Sequence, residues 1–381
     1  MEIMKKFLPI LLAALATSTI NANQSDSESI PLESDCIKCD SCCDVPNKTM
    51  TAAYNQADGI YVCNPKNYFL NNSFATISFL YIQPIQEQME TALRLFSPAT
   101  SSNVLYKYDF EWKPAFKLGF GSYFDRDRWE AFIEYSRVNT SMHNSVSLGN
   151  SGGYLQDFWS FGNVGFNFTT QKVNTDWDLN FNIFHLDLGR SYYNGKKLVF
   201  NAHYGLKTGW INQKLQSESK GISLENQPIA LKADFKSNSW LIGPRIGIYS
   251  HWMFCKGFRF FGNGSASLFY QKFSKIKLRE GDVGLIPGTG EWEAACNYST
   301  QLINSSLEGI LGFGYERYIN RNKCHFDLAV GYEAQLFFDQ NMMRYLQQSN
   351  NHGIFSSSLK ISSKAGNLIF HGLNITARLD F

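Results

Sequence analysis

Eight cysteines carry the most versatile chemistry in this chain: Cys36, Cys39, Cys42, Cys43, Cys63, Cys255, Cys296 and Cys324. Four of them sit in Cys36-Ile37-Lys38-Cys39-Asp40-Ser41-Cys42-Cys43, a spacing suited to zinc or an iron–sulfur cluster in a reducing compartment. The start of the chain argues for the other chemistry. Met1–Lys6 carries Lys5 and Lys6, Phe7–Ala16 is apolar, and Ser18–Ala22 offers small residues, the pattern of a secretory signal peptide cut after Ala22. A secreted chain meets an oxidising compartment, so all eight are disulfide candidates, within one chain or between chains. Their connectivity does not follow from the sequence. No metal and no cofactor is expected.

A second set of chemically active residues is charged and lies between apolar neighbours: Lys117, Glu130, Glu134, Asp187, Arg190, Lys207, Arg245, Glu308, Glu316, Asp327, Glu333 and Arg378. On strands that cross a membrane these must face a wet lumen, because an Arg or Lys against lipid costs about 2–4 kcal/mol at the midplane. Lumenal charges set ion preference through the local field, and mixed sign implies weak selectivity. His143-Asn144-Ser145 repeats a His and Ser spacing used by outer-membrane phospholipases. It falls in an irregular stretch where no alternation places both on one outer face. No paired Cys–His, zincin helix or phosphate loop accompanies it, so no catalytic centre is expected.

The elements that position the charges are strands. The chain closes on Leu373-Asn374-Ile375-Thr376-Ala377-Arg378-Leu379-Asp380-Phe381, strict alternation ending on an aromatic residue. A last strand that pairs with the first removes the sheet edge of a barrel, and a terminal Phe381 resembles the signal read by the barrel-assembly machinery. Similar alternation runs through Phe74–Gln83, a hairpin of Pro114–Phe124 and Trp129–Val138 about a charged turn, Phe200–Gln213, Trp240–Ile248, Phe258–Phe273, Leu307–Tyr315 and Phe326–Phe338. In Trp177–Tyr193 the apolar parity changes between Ile183 and Phe184, which predicts a β-bulge. Pro244 predicts a second bulge or bend. Gln86–Phe96 reads as a short helix and Gly281–Asn297 as a loop. Asn139–Thr175 fits either a loop folded into the lumen or a long surface loop. Trp129, Trp177, Trp210, Trp240 and Trp252 suit interfacial girdles.

Composition agrees. Aromatic residues make up 15% of the chain, yet its mean hydropathy is −0.25. That combination fits a lipid-facing barrel with a wet interior, and also a large soluble all-β protein. The apparent strands reach ten residues, the length needed to cross a bilayer at a tilt. The formal charge of +2 falls to +1 without the leader, which carries Lys5, Lys6 and Glu2, and this excludes nucleic acid as the expected partner. The organisation read from the sequence is a signal peptide over 1–22, a Cys-rich periplasmic segment over 23–70, and over 71–381 an all-β transmembrane antiparallel barrel of roughly 12–16 strands, an even number.

Several blocks carry a family resemblance. They are Trp177-Asp178-Leu179, Asp187-Leu188-Gly189-Arg190, Tyr204-Gly205-Leu206-Lys207 with Trp210-Ile211, Ile242-Gly243-Pro244-Arg245-Ile246-Gly247, Phe261-Gly262-Asn263-Gly264-Ser265-Ala266, Gly331-Tyr332-Glu333 and Gln340-Asn341. Together they resemble the pore-forming major outer membrane proteins of the Legionella type and the porin-like proteins of chlamydia-related bacteria. The resemblance covers mainly Lys113–Val138 and Trp177–Phe381. It implies a bacterial outer-membrane porin passing ions and small hydrophilic solutes, with membrane lipid as partner and a homo-oligomer among the expected assemblies. The N-terminal cysteines suit disulfide-linked envelopes of the chlamydial kind, which leaves open a structural envelope protein or surface adhesin with a closed barrel.

Overall fold

The computed structural model describes residues 73–95, 103–124, 129–149, 153–159, 168–194, 197–223, 226–254, 257–282, 292–319, 324–344, 346–350, 357–361 and 365–381. The signal peptide and the Cys-rich segment lie outside the described residues. Ten strands form the wall: β1 (Ser73–Gln86), β4 (Lys113–Phe124), β5 (Trp129–Ser147), β7 (Phe168–Asn194), β8 (Leu198–Ser223), β9 (Pro228–Met253), β10 (Phe258–Asp282), β11 (Trp292–Ile319), β12 (Cys324–Asn341) and β15 (Gly366–Asp380). Short strands β2 (Glu90–Leu95), β3 (Val104–Lys107) and β6 (Tyr154–Asp157) complete a thirteen-stranded sheet, and β13 (Leu346–Asn350) pairs with β14 (Ser357–Ile361) separately.

The ring closes at two places. β1 pairs along its length with β15, so the first and last wall strands join. β7 pairs with β8 as well as β5, completing the circuit β7-β5-β4-β1-β15-β12-β11-β10-β9-β8. The even-numbered antiparallel barrel is therefore present. The sheet has thirteen strands, but the ring itself uses ten of them, fewer than the 12–16 expected of the barrel, because the short strands β2, β3 and β6 pair beyond the wall.

Side-chain alternation distinguishes a membrane barrel from a soluble sandwich. Ile77, Phe79, Leu118, Phe120, Leu186, Leu206, Ile242, Ile246, Leu307, Leu311, Phe313 and Val330 are all exposed on the outer wall. Water would oppose such a belt; lipid favours it. Trp210, Trp240 and Tyr270 border it on one side, Trp252, Phe258 and Tyr315 on the other. Trp240 and Trp252 lie twelve residues apart on β9. At about 3.4 Å per residue and a tilt of about 45° that is close to 30 Å of height, the hydrocarbon thickness of a bilayer.

The structure corrects several expectations. Gln86–Phe96 is strand and turn, not helix, and the one helical turn among the described residues is 3-10, Met342–Arg344. β11 already begins at Trp292, within the stretch expected as loop. Pro244 causes no bulge: Ser267 opposite Arg245 and Tyr270 opposite Ile242 keep one register across it. The proline nitrogen, which cannot donate, falls where the ladder to β10 skips two residues. The register shift lies in β10, between Phe273 and Ile276.

The predicted β7 bulge is also absent. Register with β5 and with β8 is continuous through Ile183 and Phe184. The parity change instead marks a change of outer solvent. Outward Leu186, Leu188 and Tyr192 are apolar and face lipid, with Arg190 between the last two near the short turn, whereas outward Asn182, Asn180 and Asp178 lie beyond the belt. There the inward residues Ile183, Phe181, Leu179 and Trp177 become the apolar ones, as in any strand with water outside. Trp177 is thereby removed from the girdle; it is fully buried inside.

Candidate functional site

The interior of the barrel holds the charges. On each wall strand every second residue points inward, and the polar set of one strand meets those of strands across the ring. Of the twelve charges singled out, eleven face the interior: Lys117, Glu130, Glu134, Asp187, Lys207, Arg245, Glu308, Glu316, Asp327, Glu333 and Arg378. Arg190 does not. It follows inward-facing Gly189, so the two-residue period turns it outward, where its guanidinium lies 5.6 Å from the Tyr192 ring.

These charges are paired across the lumen. Lys117 on β4 donates to Glu333 on β12 at 2.5 Å and lies 3.7 Å from Glu134. Lys207 on β8 is bonded to Glu308 on β11 and donates to Ser306 at 2.8 Å. Arg245 on β9 bridges Asp187 and Glu308, the second at 3.1 Å. Nearer the short turns, Arg259 joins Glu316 at 3.0 Å and Asp327 at 2.5 Å. Arg378 joins Asp380 at 2.8 Å and stacks 3.5 Å above the Phe74 ring. Gly119 and Gly121 leave the inner face of β4 bare, and the Phe132 and Phe74 rings occupy that space.

Between these pairs lies a cavity of about 270 Å³. His203 Nε2, Asn263 Oδ1, Asp187 Oδ1 and Asp327 Oδ1 are buried there without a protein hydrogen-bond partner. A chamber of this size and polarity holds water. Nothing in it resembles a metal centre: no cluster of three or more His, Cys, Asp or Glu suits a cation among the described residues.

Above the chamber the interior is apolar. Phe181 of β7 meets Phe337 of β12 edge-on at 5.2 Å and Phe370 of β15 at 4.8 Å. In the ring order β7 and β12 stand five places apart, so this contact joins opposite walls. Phe269 of β10 adds a ring 6.5 Å from Phe337, and Leu80, Val138, Ile183, Ile211 and Leu241 fill the rest of the cluster. Lys207 caps the layer from below, its ammonium 4.3 Å from the Phe337 ring. A separate cavity beside Phe181 and Phe370 holds about 10 Å³, at the lower limit for one water.

Above the rings comes a buried amide layer. Gln271 donates to Ser239 and Gln340, each at 2.9 Å, and accepts from Asn304 at 2.9 Å. Parts of the connections reach the mouth beyond. Trp159 packs edge-on against Phe235 of β9 at 5.1 Å, and Asp157 accepts from Ser217 and Ser219 of β8 at 3.0 and 2.6 Å. Part of Asn139–Thr175 therefore reaches inner wall faces, while most of it is strand in β5 and β7.

The apolar layer was not anticipated as part of the site. Its signal was the parity change at Ile183 and Phe184, which marks where apolar residues turn inward. His143 and Ser145 likewise share an outer face after all, because β5 runs on to Ser147. His143 bonds Asp176 at 2.6 Å, but the Ser145 hydroxyl donates to Asn174 at 2.8 Å. Cys296 and Cys324 fall on β11 and β12, and the other six cysteines lie outside the described residues.

Among solved structures, similar ones include the outer membrane protease OmpT of Escherichia coli, with 14% identity, TM-score 0.37, and coverage of 84% of this chain and 99% of that one. The toluene transporter TodX of Pseudomonas putida shows 9% identity and TM-score 0.23, over 83% of this chain and 90% of that one. A FadL homologue of Pseudomonas aeruginosa shows 7% identity and TM-score 0.27, over 81% and 89%. None of these likenesses carries an activity to this chain. No curated protein matches it. The family model described as the Legionella pneumophila major outer membrane protein precursor matches residues 70–381, the whole of the barrel. With its girdled apolar wall and closed ring, the chain is an outer-membrane β-barrel and belongs to the Legionella major outer membrane protein family.

Proposed function

We propose that the barrel is closed to solutes in its folded state and serves as a structural envelope protein, joined through its cysteines to a disulfide-linked network. The observation that carries the reading is the contact of Phe181 with Phe337 between opposite walls. An apolar constriction of this kind excludes ions by dewetting even where water fits geometrically. The amide layer above it is polar, and the connections at the mouth lie beyond it. No step of catalysis is assigned to the interior.

The test is conductance of the refolded chain in a planar bilayer, with and without reductant. Silence in both conditions, from protein shown to be folded, is the expected result. Stable ohmic steps from the unaltered chain overturn the closed reading. Non-reducing gels of native envelopes test the network: cross-linked species should collapse on reduction, and equal migration as monomers in both lanes removes it.

The water-filled charged chamber favours a second reading, a porin for ions and small hydrophilic solutes whose apolar layer moves aside. Its signature is a silent barrel that opens with voltage or reductant. Weak ion selectivity then follows from the mixed charge of the chamber.

A further inference from the structure

Just past the belt, on three neighbouring strands of the outer wall, lysines collect. Lys214 of β8 lies opposite Lys236 of β9, and Lys236 lies opposite Lys277 of β10. Lys272 lies opposite Trp240. The register shift between Phe273 and Ile276 adds one residue to β10 and leaves Lys275 exposed beside the row. Like charges directly opposite on a sheet repel. A surface that tolerates them ordinarily interleaves carboxylates, as Glu218 does with Lys220 at 3.0 Å higher on the same wall. None of these five lysines has an ion pair among the described residues. The carboxylates beside the row are Asp178 of β7, opposite Lys214, and Asp234 of β9, which accepts from Gln216 at 2.7 Å and lies opposite Arg279. Lys275, by a hydrogen bond and by its charge, holds the Lys277 ammonium below the usual lysine range, with Arg279 and Lys236 adding to the effect.

The height of the row is informative. Lys214 and Lys236 lie four residues beyond Trp210 and Trp240, the aromatic edge of the belt on their strands. Four residues at about 3.4 Å and a tilt of about 45° make roughly 10 Å of height. Lys272 is only two residues beyond Tyr270. Lysine ammoniums on flexible stems reach down toward the interface, which places them at lipid headgroups. The row also stands at the end away from the short turns, the outward-facing end in bacterial barrels.

We propose that Lys214, Lys236, Lys272, Lys275 and Lys277 form a binding site on the outer wall of β8–β10 for the phosphate-bearing headgroup of an outer-leaflet lipid. The acyl chains lie along the apolar belt beneath, over Trp240 and Tyr270. The lipid phosphate adds negative charge where Asp178, opposite Lys214, is outnumbered by five lysines. A phosphomonoester headgroup fits better than a zwitterionic one, because the latter brings its own cation into a crowd of cations.

The full chain, refolded into phosphatidylcholine nanodiscs with and without a minor fraction of bisphosphorylated lipid A, is extracted into mild detergent and weighed by native mass spectrometry. Retained lipid A is expected. With each lysine near the surface contributing about 1 kcal/mol, K236Q/K277Q should lower retention by at least about ten-fold. K197Q at the short-turn end should leave it unchanged. K214Q/K272Q gives the same reading should the first pair not fold, folding being followed by heat-modifiable gel migration. Equal retention by a folded double variant, equal retention of phosphatidylcholine, or displacement of lipid A by inorganic phosphate at equal concentration would each overturn the lipid site.

Discussion

Below Phe181 the inner faces of the wall strands are bridged by Lys117 with Glu333, Lys207 with Glu308 and Arg245 with Asp187. Above it the same strands are bridged by rings and aliphatic groups. The two regions share a wall but differ in what surrounds it. In the lower region lipid outside takes the apolar residues and leaves polar ones for the interior. In the upper region water outside takes the polar residues, and the interior becomes an ordinary protein core. A barrel taller than its membrane therefore carries an apolar layer inside, because alternation must invert where the outer solvent changes.

The contrast can be broken most severely from the lower side. Glu308 holds both Lys207 and Arg245, so Glu308→Ala leaves buried Lys207 without its carboxylate and takes from Arg245 one of its two. A loss of about 5 kcal/mol in urea unfolding from lipid vesicles is expected, at the top of the range for breaking a buried pair. In the upper region Phe337→Ala removes a fully buried ring that touches Phe181, Phe269 and Phe370. A loss of about 4 kcal/mol is expected by the same measurement. The combined F181A/F337A variant sharpens the comparison further: conductance should appear there, while Glu308→Ala stays silent. Steps of the same size in both would place the barrier elsewhere.

Smaller effects separate the amide layer from both. Gln271→Leu leaves Asn304 and Gln340 short of a partner and should cost about 1–3 kcal/mol. Arg190→Gln acts on the outer face and should change stability by no more than about 0.5 kcal/mol. Lys113→Ala, which removes an exposed pair with Glu111, belongs to the same class, at about 0–1 kcal/mol. A large effect of Arg190→Gln on unfolding would mean that its side chain turns inward in the membrane.

Much of this was legible in the chain. The alternation of Phe326–Phe338 and Leu373–Phe381 dictated strands. The period of two also assigned inward positions to Lys117, Glu134, Asp187 and Glu333, because lipid does not accept charge. Arg190 was misplaced because a family block suggested a role that its parity contradicts. The bulge expected in β7 failed for a related reason: a parity change has two physical causes, an inserted residue or a change of solvent, and pairing register is needed to tell them apart.

By itself, then, the sequence determined the all-β membrane barrel, its polar inner faces and its aromatic edges. These follow from local period and from the transfer energies of single side chains. The ring of ten, the pairing of the inward charges and the contact of Phe181 with Phe337 across the lumen were decided by the tertiary structure. Those depend on which strands stand opposite one another, and residues more than a hundred positions apart in the chain meet only once the ring has closed.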